Sequence, residues 1–87
     1  MDKDIMENPN QIAMYLKNLF GKAMLSKKDL CEFLDISSAT LDRRIKENRD
    51  IPSYVKLGDS KTAKVQFPIF AVAEYYFEIY NNTIKIN

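Results

Sequence analysis

The chain has 87 residues and a mass of 10.1 kDa, room for one domain around one small core. It is 46% apolar and 29% charged with a net charge of +1, a balance that argues against disorder and against a uniformly basic protein. It carries no His, two Gly and one Cys, which leaves no Ser–His or Cys–His pair, no ordinary zinc site, no phosphate-cradling glycine loop and no internal disulfide.

Residues 1–7 are polar without periodicity and are expected to form a flexible N-terminus. They lack the apolar stretch of a secretory leader, and the longest apolar run, 69–73, is too short to cross a bilayer. With a lone Cys31, a soluble cytoplasmic protein is expected. Asn8-Pro9 reads as an N-cap followed by proline at the first helical position. Ile12, Tyr15, Leu16, Leu19 and Phe20 then form one helical stripe, expected to face the core, and Gly21 supplies a left-handed stop.

Two short helices follow with the same punctuation. Ser26 caps the first, Asp29 completes a capping box, and Leu25 is placed to staple against Leu30. After Asp35-Ile36-Ser37, Ser37 caps the second, with Ile36 stapling against Leu41 and Ile45 one turn further on. Two helices joined by so short a turn make a helix-turn-helix over about 26–48. From 52 to 67 the pattern becomes strand-like. Tyr54-Val55-Lys56-Leu57 and 62–67 flank Gly58-Asp59-Ser60-Lys61, a β-hairpin bounded by Pro52 and Pro68. A last helix is expected over about 68–80, with Ile69, Val72, Ala73, Tyr76, Phe77 and Tyr80 on one stripe and Phe70 and Ile79 off it. Residues 81–87 are expected to be a tail, loose or strand-like.

Charge is distributed unevenly. Between Arg43 and Lys64 lie seven cations and three anions, a local charge of +4, which leaves −3 on the remainder. On a helical wheel, Leu41, Ile45, Ser38 and Asn48 point inward and Arg43 lies opposite, flanked by Ala39, Lys46 and Glu47. Such a helix fits the major groove of B-DNA, where arginine pairs with guanine O6 and N7 and a small side chain meets a thymine methyl. Ala39, Arg43, Lys46 and Glu47 are therefore the candidate base readers. Ser37, Ser38 and Thr40 at the helix N-terminus, Arg44 and Arg49 beside it, and Lys61 and Lys64 on the hairpin are the candidate phosphate contacts. Arg44 also has Asp42 and Glu47 within reach for surface pairs. The acids Asp29, Glu32, Asp35 and Asp42 are explained as caps and surface charge, so no catalytic residue, metal or cofactor is expected.

The run Leu25-Ser26-Lys27-Lys28-Asp29-Leu30, the run from Ile36-Ser37-Ser38-Ala39-Thr40-Leu41 through Arg43-Arg44-Ile45-Lys46-Glu47-Asn48-Arg49, Pro52 and Val55-Lys56-Leu57-Gly58 together resemble the excisionase/AlpA family. Members are small winged helix-turn-helix proteins related to the MerR DNA-binding domain. The resemblance covers about residues 24–76. Asn48 stands where that pattern has glycine, Ser38 where it often has arginine, and Asp50-Ile51 appears as an addition before Pro52. Phe67 takes the place of a tryptophan after the wing, and the N-terminal helix lies outside the shared core.

The resemblance implies a regulator from a phage, plasmid or integrated element. Such a protein bends double-stranded DNA to direct an integrase toward excision, or controls transcription, and it is nucleoid-associated. The expected fold is α+β, mostly α: one winged helix-turn-helix domain over 8–80 with an extra N-terminal helix, a hairpin wing and a C-terminal helix. A second reading makes the chain a protein-interaction module. There Phe70, Tyr75, Tyr76 and Ile79 on the last helix dock a partner or build a homodimer, or a side-by-side assembly on DNA.

Overall fold

The computed structural model describes residues 8–58 and 64–85. The protein is α+β and mostly helical, with four helices and one three-stranded antiparallel sheet among the described residues. In chain order these are α1 (Pro9–Phe20), β1 (Met24–Leu25), α2 (Lys27–Leu34), α3 (Ser38–Glu47), β2 (Val55–Leu57), β3 (Lys64–Pro68) and α4 (Ile69–Lys85).

Helix α1 begins where the chain supplies an acceptor and a fixed φ. Asn8 Oδ1 accepts from the Asn10 N–H at 2.8 Å and Pro9 occupies the first turn. It ends at Gly21, whose φ of 71° is open to glycine at little cost, and the Gly21 N–H donates to the Lys17 carbonyl at 2.7 Å. Ile12 and Leu16 are buried, and Ala13 and Phe20 pack beside them. The expected stripe is displaced, however: Tyr15 and Leu19 are 45% and 55% exposed. Helix α1 packs chiefly on α4, and one neighbouring helix covers a narrower arc than a closed core would.

The two short helices start and stop as their caps dictate. Ser26 Oγ accepts from the Asp29 N–H at 3.1 Å, and Asp29 Oδ2 accepts from the Ser26 N–H at 3.0 Å. Leu25 and Leu30 flank this box and are fully buried. Residues 35–37 make the connection, with Asp35 left-handed at φ 59°. Ser37 Oγ then accepts from the Thr40 N–H at 3.1 Å and opens α3. Leu41 is buried and Ile45 packs partly covered, but Ser38 and Asn48, expected to point inward, are both exposed. Ser38 is the first residue of the helix, beyond the neighbours that cover Leu41. Asn48 is the C-cap at φ 55°, so its side chain leaves the helical wheel altogether. Asparagine tolerates that conformation better than most residues, which explains its standing in a glycine's place.

The hairpin forms with Val55 opposite Gln66, Lys56 opposite Val65 and Leu57 opposite Lys64. Residues 59–63, and with them Lys61, lie outside the described residues. Strand β3 is central, because β1 pairs on its other edge, Met24 with Pro68 and Leu25 with Phe67. The Ile69 N–H adds a bond to the Ala23 carbonyl at 2.9 Å. Phe67 is buried at the centre of the core, with Tyr54 edge-on at 5.8 Å.

Helix α4 departs directly from β3 and carries Ile69, Ala71, Val72 and Ala73 into the core. It runs to Lys85, whereas a stop near 80 and a loose or strand-like tail were expected. Asn81-Asn82-Thr83 are weak helix formers, but no glycine or proline interrupts a helix already anchored by packing. Residues 86–87 lie outside the described residues.

Candidate functional site

Helix α3 buries Leu41 and half-buries Ile45, which turns the opposite side to solvent. Ala39, Arg43, Lys46 and Glu47 are all exposed there, and positions 39, 43, 46 and 47 fall on one face at i, i+4, i+7 and i+8. Among the described residues no ion pair engages Arg43 or Lys46. Glu47 is different, since its Oε1 lies 3.4 Å from Arg49 Nε. Both partners are exposed, so the pair contributes well under about 1 kcal/mol and yields to a stronger anion.

The remaining candidate contacts divide into separate places. Ser37 and Thr40 hold each other, with Ser37 Oγ donating to Thr40 Oγ1 at 3.0 Å, while Ser38 beside them stands exposed. Arg44 turns away from the exposed stripe: its Nη2 lies 3.6 Å from Asp50 Oδ2 and its Nη1 donates to the Asp50 carbonyl at 3.5 Å. Lys64 is exposed on β3. Because Lys56 and Lys64 oppose Val65 and Leu57 respectively, their side chains leave opposite faces of the hairpin.

Two features were not anticipated. Lys28, exposed at the start of α2, shares a groove of about 370 Å³ with Ser26, Lys27, Lys64, Val65 and Gln66. Only the doubled lysine was visible beforehand; the β1–β3 pairing is what lays that helix end beside the hairpin. Lys27 is already engaged, its Nζ 2.6 Å from Asp42 Oδ1, an exposed pair that ties α2 to α3. At the other end of the box, Lys22 Nζ lies 2.7 Å from Asp29 Oδ2. Burial raises the Asp29 carboxyl, but Lys22 and the Ser26 hydrogen bonds outweigh it and hold the group below its ordinary value.

The aromatic residues of α4 do not form one surface. Phe70 is 67% exposed near the start of the helix, and position 79 falls on the opposite side of the wheel from position 70. Tyr75, Tyr76 and Ile79 instead line a second groove of about 500 Å³ with Phe33, Leu34, Ile36, Arg44 and Asp50. Tyr76 packs on Phe33 at 5.0 Å between ring centroids. The Tyr75 hydroxyl donates to Asp50, 3.0 Å from its carbonyl oxygen and 3.2 Å from Oδ1. Burial and then the Asp50 charge raise the Tyr75 phenol, with Arg44 opposing, so the hydroxyl stays a donor at neutral pH. Burial and Asp42 likewise raise the Cys31 thiol, an inert setting for a cysteine.

Among the described residues no group of three Cys, Asp or Glu side chains is placed to hold a metal ion, and no helix is long and apolar enough to cross a membrane. Comparison with known proteins finds no matching family model, no matching curated protein and no matching solved structure.

Proposed function

We propose that this chain is a sequence-specific double-stranded DNA-binding protein of the winged helix-turn-helix kind. In this reading α2 and α3 are the helix-turn-helix, α3 enters the major groove, and the β2–β3 hairpin is the wing. The observation that carries it is the exposed line of Ala39, Arg43 and Lys46 on α3, unpaired among the described residues, beside a hairpin carrying Lys56 and Lys64. Arg43 reads a guanine, Ala39 meets a neighbouring base, and Lys46, Lys64 and Lys28 neutralise phosphates. Arg49 joins them by exchanging Glu47 for a phosphate oxygen, a stronger partner than an exposed carboxylate.

The resemblance of residues 24–76 to the excisionase/AlpA family extends the reading to a mobile-element regulator. It either directs an integrase toward excision or controls the element's transcription. Selection of duplexes from a random pool, followed by gel shifts, tests the core of this proposal. The parent enriches a defined sequence, and removing both Arg43 and Lys46 abolishes its retardation. A double variant that still binds its enriched duplex with parental affinity overturns it.

The groove between α2 and α4 favours a second, compatible reading, in which Tyr75, Tyr76 and Ile79 receive a partner or a second copy. Light scattering over a range of concentrations separates the two: a strict monomer that binds a specific duplex speaks against self-association.

A further inference from the structure

We propose that Asp50 and Tyr75 are a positioning pair that fixes the angle of the hairpin against α3, so that the cations of both elements meet one duplex together. The inference rests on the DNA-binding reading and adds to it two residues that need touch no DNA.

Helix α3 packs chiefly on α2 and has little direct packing against the hairpin. Besides their common support on α2, the link between them is residues 48–54. Its far end is anchored, with Pro52 buried and Ile51 packed on the core. Its near end turns sharply, because Asn48 and Asp50 both hold left-handed backbone, at φ 55° and 60°. Neither is glycine, but asparagine and aspartate adopt this conformation more readily than other side chains, and the surrounding contacts select it here.

Those contacts converge on Asp50 from two helices. Arg44 of α3 reaches both its carbonyl and its carboxylate, while the Tyr75 hydroxyl of α4 donates to its carbonyl and Oδ1. Helix α4 is also the direct continuation of β3, with no loop between Pro68 and Ile69. The Tyr75–Asp50 bond thus closes a ring that runs through residues 48–54, β2, β3 and α4. The hairpin is held by β1, α2 and α4, whereas α3 has α2 as its chief support. Without the bond the C-terminal end of α3 would shift about residues 48–50, and with it α3 keeps one angle to the hairpin. Preorganised spacing of this kind saves the ordering that binding would otherwise require.

Tyr75→Phe removes one hydroxyl and keeps the ring, so the groove stays filled. In the free protein, residual dipolar couplings are expected to show residues 64–68 reoriented against 38–47, with each element internally unchanged. On the duplex enriched by the parent, affinity falls about tenfold and the log–log salt slope shrinks by roughly one to two. Discrimination at the base read by Arg43 is unchanged, whereas a merely destabilised fold would leave slope and couplings where they were. Asp50→Asn keeps a side chain that tolerates left-handed backbone and both acceptors for Tyr75, and is expected to keep the parental couplings. Unchanged couplings in Tyr75→Phe, or misalignment in Asp50→Asn alone, overturn the positioning pair. If the parent enriches no duplex, the DNA reading fails by itself and the couplings of the free protein still decide the pair.

Discussion

The salt dependence of DNA binding is the quantity most directly set by which cations are already paired. Lys46, Lys64 and Lys28 are exposed and have no ion-pair partner among the described residues, and Arg49 is held only by its exposed pair with Glu47. Arg44 and Lys27 are engaged by Asp50 and Asp42. Four phosphate contacts give a log–log slope of about −3.6, so raising salt from about 50 to 200 mM weakens binding by roughly 150-fold. Lys64→Ala removes one contact, shifts the slope to about −2.7 and reduces that loss to roughly 40-fold. Fluorescence anisotropy with a labelled duplex at several salt concentrations measures both slopes. A Lys64→Ala variant with the parental slope would refute the idea that the hairpin lies on the DNA backbone. A parent slope shallower than about −2 would refute the cation inventory as a whole.

Three further expectations follow from single residues. Arg43→Ala costs about 1–3 kcal/mol on the enriched duplex and relaxes preference at one base pair; competition among single-base variants of that duplex tests it, and uniform weakening would make Arg43 a phosphate contact instead. Asp29→Asn destabilises the fold by about 0.5–1 kcal/mol at neutral pH. Its carboxyl titrates lower folded than unfolded, so the stabilisation is complete above the unfolded value near 3.8 and is lost as pH falls through the folded one. Urea melts of parent and variant should converge in acid, and a gap that persists there would contradict the assignment. Phe67→Ala empties the core centre and costs about 3–5 kcal/mol, which on a domain this small should appear as loss of the cooperative melt; a shift of only a few degrees would mean that the site collapses around the cavity.

What was legible in the sequence is what neighbours in the chain decide. Ser26 with Asp29, Ser37 with Thr40, and Asn8 with Asn10 each fixed a helix start through bonds spanning two or three residues, and the exposed side of α3 followed from its spacing alone. The misses lie where distant segments meet. Met24-Leu25 is too short to carry a strand pattern, and only β3 makes it one. Tyr15 and Leu19 fit an apolar stripe perfectly well, yet α1 packs chiefly on α4 and both are left about half exposed. Arg44 has Asp42 and Glu47 within helical reach but pairs with Asp50, because a left-handed residue turns that carboxylate back toward α3. Tyr75 meets the same aspartate across the fold, and no periodicity in either segment announces the contact.

The β1–β3 pairing also bears on how the chain reaches this fold. Leu25 and Phe67 sit side by side in the sheet, although α2, α3 and most of the hairpin lie between them in sequence. That closure brings together distant ends, and its entropic cost is met before the contact gives anything back. The capped helices and the hairpin are local, so topology favours their forming before β1 clasps β3. A chain broken between β1 and β3 is expected to keep its helices in part and to lose the cooperative transition, because the seal on the core depends on two strands that only the intact chain holds together.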